Sequence, residues 1–320
     1  MSRRQRLRRQ AYWGDQPGLF DMPGDDTEGE TLECLADGAE TVERLRFISF
    51  GSGSSGNCAY IGTPSCGLLI DAGVDNNYVI AQLAANCIDL GSIRGILLTH
   101  DHSDHVRYAY AILRHNRHMR LYATPKALNG LLRRHSMSRR ISDYHQPIFK
   151  EFPFEVGPLT VTAFETSHDG SDNAGFAIDY GDTHFVVTTD TGTITARSDF
   201  YMRKAQYLMI ESDYDAAMLG SGPYPVHLKA RIAGTSGHLD NADTGRYLAS
   251  LAPAGLLRRV FLCHLSDTNN TPGLALSTVR GILEEAGVPV CHDRQPGPTE
   301  TRLHIAVLPR NESSPLVVLG

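Results

Sequence analysis

The sequence predicts an α/β protein in which two β-sheets pack together and are covered by helices. Three observations predict it. Short apolar runs of strand character alternate with segments of helical spacing. Nearly every strand run ends in a polar loop bearing His or Asp, the pattern of sheets whose strand ends are kept for chemistry. The chain has 320 residues, 41% hydrophobic and 21% charged, enough to bury a core.

The elements follow in order. RLRFISF, NCAYIG and GLLIDAG read as short strands, the first two joined by the Gly/Ser turn 51–57. Residues 79–85 have helical spacing. Residues 94–99 read as a buried strand, followed by HDHSDH and a helix through 107–114. LYAT is a strand, and PKALNGLLRRH a helix opened by proline. Strands are expected within 148–164, at GFAIDY, HFVVTTD and QYLMIES. Helices are expected near 194–204, 226–233, 241–251 and 271–286, with a buried strand RRVFLCH among them. Residues 45–320 are expected to form a single catalytic domain.

Residues 1–44 differ in texture. An Arg-rich head precedes an acidic Gly/Asp/Glu-rich segment with too few apolar residues for a core, so a disordered or loosely attached tail is expected, able to contact a protein partner. The basic start has no apolar segment behind it, and no run approaches the roughly 18–20 residues that span a bilayer. Six cysteines without a C-x-x-C pair read as reduced thiols, and a cytoplasmic location is expected.

The net charge of −6 conceals a pattern. Residues 106–142 hold nine Lys/Arg and no Asp or Glu. Such a stretch is a local positive field suited to a polyanion, although a solvated helix face has the same composition.

The chemistry concentrates where the buried strand ends. His100 and His102 are two apart, so in extended chain they point the same way and can converge on one ion. Asp104 and His105 follow where the chain turns into a helix and can face a second. His168, Asp190 and His264 each close a strand-like run. Imidazole and carboxylate are the ligands that zinc-like cations favour. Ligand counting assigns His100, His102 and His168 to one divalent ion, and Asp104, His105 and His264 to the other. Asp190 then bridges them. The cofactor expectation is two divalent ions per chain, zinc or manganese.

The motif H-x-H-x-D-H, with His168, Asp190 and His264 in order, resembles the metallo-β-lactamase superfamily. That resemblance implies a four-layer αββα sandwich of two mixed sheets, and Asp71 matches its supporting strand-end Asp. GSGSSGNCAYI, LLTHDHSDH, TSHDG, TTDTG, ESDYD, GPYPVHLKARI, SGHLDN and HLSDTNN together resemble its WalJ/YycJ-type exonuclease branch, over about residues 46–290. The branch implies a cytosolic 5′→3′ exonuclease acting on DNA. Asp213 stands where that branch leads one to expect Asn.

Phosphodiester cleavage on this plan uses a metal-bridging hydroxide, with Asp104 among the ligands that support it, and an acid for the departing 3′-oxygen. His238, in the polar loop SGHLDN, is the candidate, as the phosphodiesterases of the superfamily carry a non-ligand His in that interval. Glu211, ending QYLMIE, would orient it. Ser52, Ser54, Ser55 and Asn57 offer backbone N–H groups and polar side chains to a terminal phosphate, or form a simple hairpin turn. Lys229 and Arg231 suit backbone phosphates or are surface cations, and Asn269 of HLSDTNN is counted with the substrate contacts. The expected partner is DNA, as duplex or single-strand ends, held by its backbone without sequence preference. A small substrate (lactone, thioester or cyclic phosphodiester) and an RNA-processing role are the alternatives. The 73 residues between Asp190 and His264 leave no room for the inserted cap domain of β-CASP nucleases. A redox di-iron protein would carry Glu in place of His102.

Overall fold

Strand periodicity decides which face each residue serves. In β1 (Leu45–Gly51), Leu45 and Phe47 enter one apolar cluster while Ile48 and Phe50 enter another. Both faces are therefore buried, and the strand lies inside a layered structure rather than at its surface. The computed structural model describes residues 43–291 and 301–320. The tail expected at 1–44, and any partner bound there, thus lie outside the described residues except for Glu43 and Arg44.

The first half of the chain continues with β2 (Cys58–Gly62), β3 (Gly67–Ile70), α1 (Asn76–Ala85), β4 (Ile93–Leu97), α2 (Ser103–Val106), α3 (Ala109–His115), β5 (Arg120–Ala123), α4 (Pro125–Arg134) and β6 (His145–Pro147). The second half holds β7 (Phe154–Val156), β8 (Leu159–Glu165), β9 (Ala174–Tyr180), β10 (Thr183–Thr188), α5 (Ala196–Met202), β11 (Tyr207–Glu211), α6 (Ala216–Ser221), α7 (Val226–Ile232), α8 (Asn241–Leu251) and β12 (Arg259–Cys263). It ends with α9 (Pro272–Glu285), β13 (Val290–Cys291), β14 (Leu303–Val307) and β15 (Val317–Leu319).

One mixed sheet runs β15-β1-β2-β3-β4-β5-β6 and the other β13-β14-β12-β11-β10-β9-β8-β7. Between them lies a core that includes Phe47, Phe185 and Phe261, with the Phe47 ring 5.0 Å from Phe185 and 4.6 Å from Phe261. A second cluster seals the outer face of the first sheet under α1, α3 and α4, and a third seals the other sheet under α5, α8 and α9. The architecture is the αββα sandwich. Its helices start where side chains accept the otherwise orphaned N–H groups: Asp75 for α1, Thr124 for α4, Thr195 for α5, Asp240 for α8 and Thr271 for α9.

The chain departs from the sequence expectation at the single helix proposed for 107–114. It begins only at Ala109, as α3, because Arg107 and Tyr108 form a turn that separates it from α2. The Tyr108 N–H donates to the Ala72 carbonyl at 2.8 Å instead of continuing a helical ladder. The strand at 94–99 stops at Leu97, because the Thr99 N–H is taken by the Asp71 carboxylate at 2.9 Å. No helix among the described residues is long and apolar enough to cross a membrane.

This topology gathers strand ends. β3 and β4 are parallel, as are β10, β11 and β12, and β8 runs with β10 because each is antiparallel to β9. Their carboxyl ends carry Asp71, the 100–105 loop, His168, Asp190, Glu211 and His264 to one edge of the sandwich.

Candidate metal centre

Backbone conformation aims three of these residues. Asp71, Asp190 and His264 each directly follow or lie close behind a strand with positive φ, 60°, 49° and 55°. Left-handed backbone at a non-glycine residue costs on the order of 1–3 kcal/mol and persists only where its surroundings enforce it. Here the turn reverses each side chain out of the strand's alternation and into the cleft.

Three of the imidazoles, His100, His105 and His168, are oriented from behind through Nδ1. Thr99 donates its hydroxyl to Asp71 at 2.8 Å, which leaves its oxygen to accept from His100 Nδ1 at 3.0 Å. His105 Nδ1 donates to the Asp71 carboxylate at 2.7 Å, and His168 Nδ1 to the Gly237 carbonyl at 3.0 Å. Such outer contacts fix the tautomer and leave Nε2 as a lone-pair donor. The Nε2 atoms of His100 and His264 are buried with no hydrogen-bond partner among the described residues. Burying imidazole nitrogens unpaired is costly unless another group takes the lone pair.

The seven residues proposed as ligands come together. Ligand atoms of His100, His102 and His168 lie within 4.8 Å of one another, and so do those of Asp104, His105 and His264. Asp190 sits between the groups: Oδ2 is 3.4 Å from His105 Nε2, and Oδ1 is 3.3 Å from His264 Nε2 and 3.7 Å from His168 Nε2. Two imidazole-carboxylate sets sharing one carboxylate fit a pair of divalent cations in donor type and number.

Electrostatics agree with that fit. Burial pushes the Asp190 carboxyl up, yet the surrounding imidazoles, His264 first, hold it well below the usual carboxylate range. Asp104 is likewise low: burial opposes ionisation, and His105 and His264 overcome it. Burial also works against charge on His264 and His105, but Asp190 drives both well above the ordinary imidazole value. The cleft attracts positive charge. Asp213 is pushed up by burial and lies 3.7 Å from His264 Nδ1.

His238 and Glu211 stand beside the centre. His238 Nδ1 donates to Glu211 Oε1 at 2.6 Å, and its ring stacks on His264 with centroids 5.2 Å apart. Glu211 is fully buried and its other oxygen accepts from the backbone N–H groups of Thr191 and Leu239. Burial opposes protonation of His238, but the Glu211 carboxylate outweighs it and pushes the imidazole up to about 9.

The other sequence candidates divide. Asn57 is buried against the centre, its side-chain amide donating to Asp104 Oδ2 at 3.2 Å. Ser54 and Ser55 are exposed, and Ser55 donates its hydroxyl to Asn311 at 2.7 Å. Ser52 and Asn269, expected as substrate contacts, are both fully buried. Ser52 Oγ accepts the His264 N–H at 2.9 Å, and Asn269 donates its backbone and side-chain N–H groups to Ser266 Oγ, so both support loops. Lys229 is half-buried and donates to the Gly220 carbonyl at 2.6 Å, whereas Arg231 pairs with Asp169 at 2.7 Å. Asp169 also lies 3.2 Å from His102 Nε2. Sequence reasoning assigned Asp169 no role, although TSHDG places it next to His168. Asp101, in the middle of HDHSDH, faces away from the centre and accepts from Ser171.

Gly73 sets the position of the ligand loop. A Cβ there would lie 1.5 Å from the Asp104 carbonyl oxygen, which accepts the Asn57 N–H at 2.8 Å. Gly73→Ala is expected to cost at least about 3 kcal/mol, the upper range for forced overpacking, and to lower metal retention. Thermal unfolding and metal analysis after dialysis check both. A wild-type midpoint with full metal would show that the loop tolerates displacement.

A family model for the β-lactamase superfamily domain matches residues 67–265. Exodeoxyribonuclease YycJ of Bacillus anthracis is 32% identical over 267 residues, covering 79% of this chain and 96% of its own. Exodeoxyribonuclease WalJ of Streptococcus pneumoniae is 30% identical over 247 residues, covering 77% and 91%. The metallo-β-lactamase fold protein YhfI from Bacillus subtilis superposes with a TM-score of 0.59 at 13% identity, covering 84% of this chain and 99% of that one. By sequence and by fold, the chain belongs to the metallo-β-lactamase superfamily, in the branch that YycJ and WalJ represent.

Proposed function

We propose that the protein is a 5′→3′ DNA exonuclease that uses two divalent cations, zinc or manganese, with His238 as its general acid. The observation that carries this reading is the His238–Glu211 pair, 2.6 Å apart, beside a complete set of imidazole and carboxylate ligands. A departing 3′-alkoxide is a poor leaving group and needs a proton, which a thioester's thiolate does not. The exodeoxyribonuclease relatives, matched over more than nine-tenths of their length, support the substrate class.

His100, His102 and His168 would hold one cation, Asp104, His105 and His264 the other, with Asp190 between them. Bound there, the cations supply the Lewis acidity that makes water a nucleophile near neutral pH and offsets charge on the scissile phosphate. The chain's own residues do the rest. Asp71 and Thr99 hold the imidazoles in one tautomer. Glu211 keeps His238 protonated and fixes its ring, so that Nε2–H is the proton offered to the leaving oxygen. Asn57 braces Asp104. Exposed cations of residues 106–142 give DNA a sequence-independent attraction.

Purified protein with Mn²⁺ or Zn²⁺ is expected to shorten 5′-phosphorylated DNA from its 5′ ends, to stop on chelation, and to lose turnover in Asp104→Ala. Running RNA, a lactone and a cyclic nucleotide alongside separates the alternatives. Brisk hydrolysis of either small substrate with DNA left intact would overturn the nuclease reading.

A further inference from the structure

Beside the loop that carries the ligands lie three neighbouring hollows, two of them against α3. The hollow next to the Gly/Ser turn, about 240 Å³, is lined by Ser55, Tyr78 and Arg107 among others. Arg107 also lines a second hollow of about 400 Å³, which starts at Ser103 inside the ligand loop and takes in Tyr110 and Arg114. Tyr110 and Arg114 continue into a third, about 700 Å³, where Arg117, Arg120, Arg140 and Tyr144 join them. Arg107 is common to the first and second hollows, and Tyr110 and Arg114 to the second and third, so the three are neighbours.

Sequence spacing explains part of the alignment. Tyr110 and Arg114 are four apart within α3, the interval that keeps side chains on one side of a helix, while Arg107 precedes the helix in a turn and Arg117 follows it in another. Among the described residues no carboxylate lies within 4.0 Å of the guanidinium groups of Arg107, Arg114, Arg117, Arg120 or Arg140, whereas Arg134 and Arg231 do meet acids. Two of them are held by backbone instead: Arg107 donates to the Ser55 carbonyl at 3.1 Å, and Arg120 to the Arg117 and Met119 carbonyls at 3.1 Å each. Carbonyl tethers position a guanidinium without neutralising it. Asp143 is the one acidic residue lining the third hollow, against four arginines, and Asp75 lines the first.

Arginine alone would suit any polyanion. Each hollow, however, pairs arginine with half-buried tyrosine: Tyr78 in the first, Tyr110 in the second, Tyr110 and Tyr144 in the third. Alternating cations and aromatic faces are what an unpaired strand requires, since phosphates seek the guanidiniums and exposed bases stack on the rings. A duplex hides its base faces. We propose that the three hollows form one track that holds the single-stranded body of the nucleic acid leading to the metal centre. The track rests on the nuclease reading for its ligand, but not for its geometry.

The test uses the full chain and the combined variant Arg114→Ala, Arg117→Ala, Arg140→Ala, none of which touches the ligands. Binding of a fluorescent single-stranded oligodeoxynucleotide is followed by anisotropy in the presence of chelator, across a salt series. Hydrolysis of a p-nitrophenyl phosphodiester too small to reach the track is measured with metal. The expected result is a Kd raised at least tenfold and a log–log salt slope shallower by about 2, at roughly 0.7 per lost phosphate contact, with unchanged turnover of the small ester. Tyr110→Ala should weaken the single strand while sparing blunt duplex. Unaltered oligonucleotide affinity and slope would overturn the track even if the wild type proves to be a nuclease. A wild type that binds the strand through these arginines yet cleaves no DNA would leave the track standing and remove the nuclease. Equal loss for strand and duplex in Tyr110→Ala would overturn the single-strand assignment.

Discussion

Asp190→Asn is expected to strip the centre of metal and to lower turnover by about 10³-fold, the equivalent of roughly 4 kcal/mol of lost stabilisation of transition-state charge. Both oxygens of Asp190 are engaged on opposite sides, Oδ2 toward His105 and Oδ1 toward His168 and His264. An amide keeps one acceptor and turns an NH₂ toward imidazole lone pairs, so the proposed shared ligand is lost on one side and the cleft loses a negative charge. The fold should survive. Asp190 has a φ of 49°, and asparagine is among the residues that tolerate left-handed backbone best. The accompanying hydrogen bond from Thr189 Oγ1 at 2.7 Å can still be accepted by the amide oxygen. Metal content after dialysis, turnover and the thermal midpoint of chelated protein are the three readouts. Two retained equivalents of metal with wild-type turnover would remove Asp190 from the centre.

The residues that were legible in the sequence share a local signature. His100 and His102 lie two apart at the end of an apolar run, and His168, Asp190 and His264 each close a strand. Burial on both faces makes such strands stand out as apolar runs, so their ends are readable. What could not be read is long-range. Asp101 has the same loop as the ligands and the same chemistry, yet Ser171, seventy positions later, draws it away from the centre. Ser52 looks like a phosphate-loop serine until β1 brings it under His264. The left-handed turns at Asp71, Asp190 and His264 have no glycine to announce them, because the surrounding contacts impose them. β15 pairs with β1 across nearly the whole chain, Phe47 opposite Val317, and no local pattern at 317–319 foretells its partner. The basic stretch is visible as composition, but only the folded chain shows which of its arginines line the same hollow.

His238→Ala is expected to lower the rate on DNA by about 10²–10⁴-fold while leaving metal content intact. The loss should depend on the leaving group. A 3′-alkoxide must be protonated as it departs, so its hydrolysis falls by the full factor, whereas p-nitrophenolate leaves unaided and its ester should keep a rate within about tenfold of wild type. A merely structural His238 would slow both equally. His238→Asn serves as the control for folding, since its NH₂ can still donate to the buried Glu211 and spare that carboxylate an unpaired interior charge. The acid works only while protonated, so activity should fall as pH rises through the imidazole's raised pKa, up to about 9 for the protein without its cations. Bound cations, as like charges, draw that limb lower. Glu211→Gln removes the carboxylate that raises it and should move the alkaline limb to still lower pH at the same metal content. An unmoved limb, or equal losses on alkoxide and nitrophenolate substrates, would take the proton from His238 and assign it to solvent.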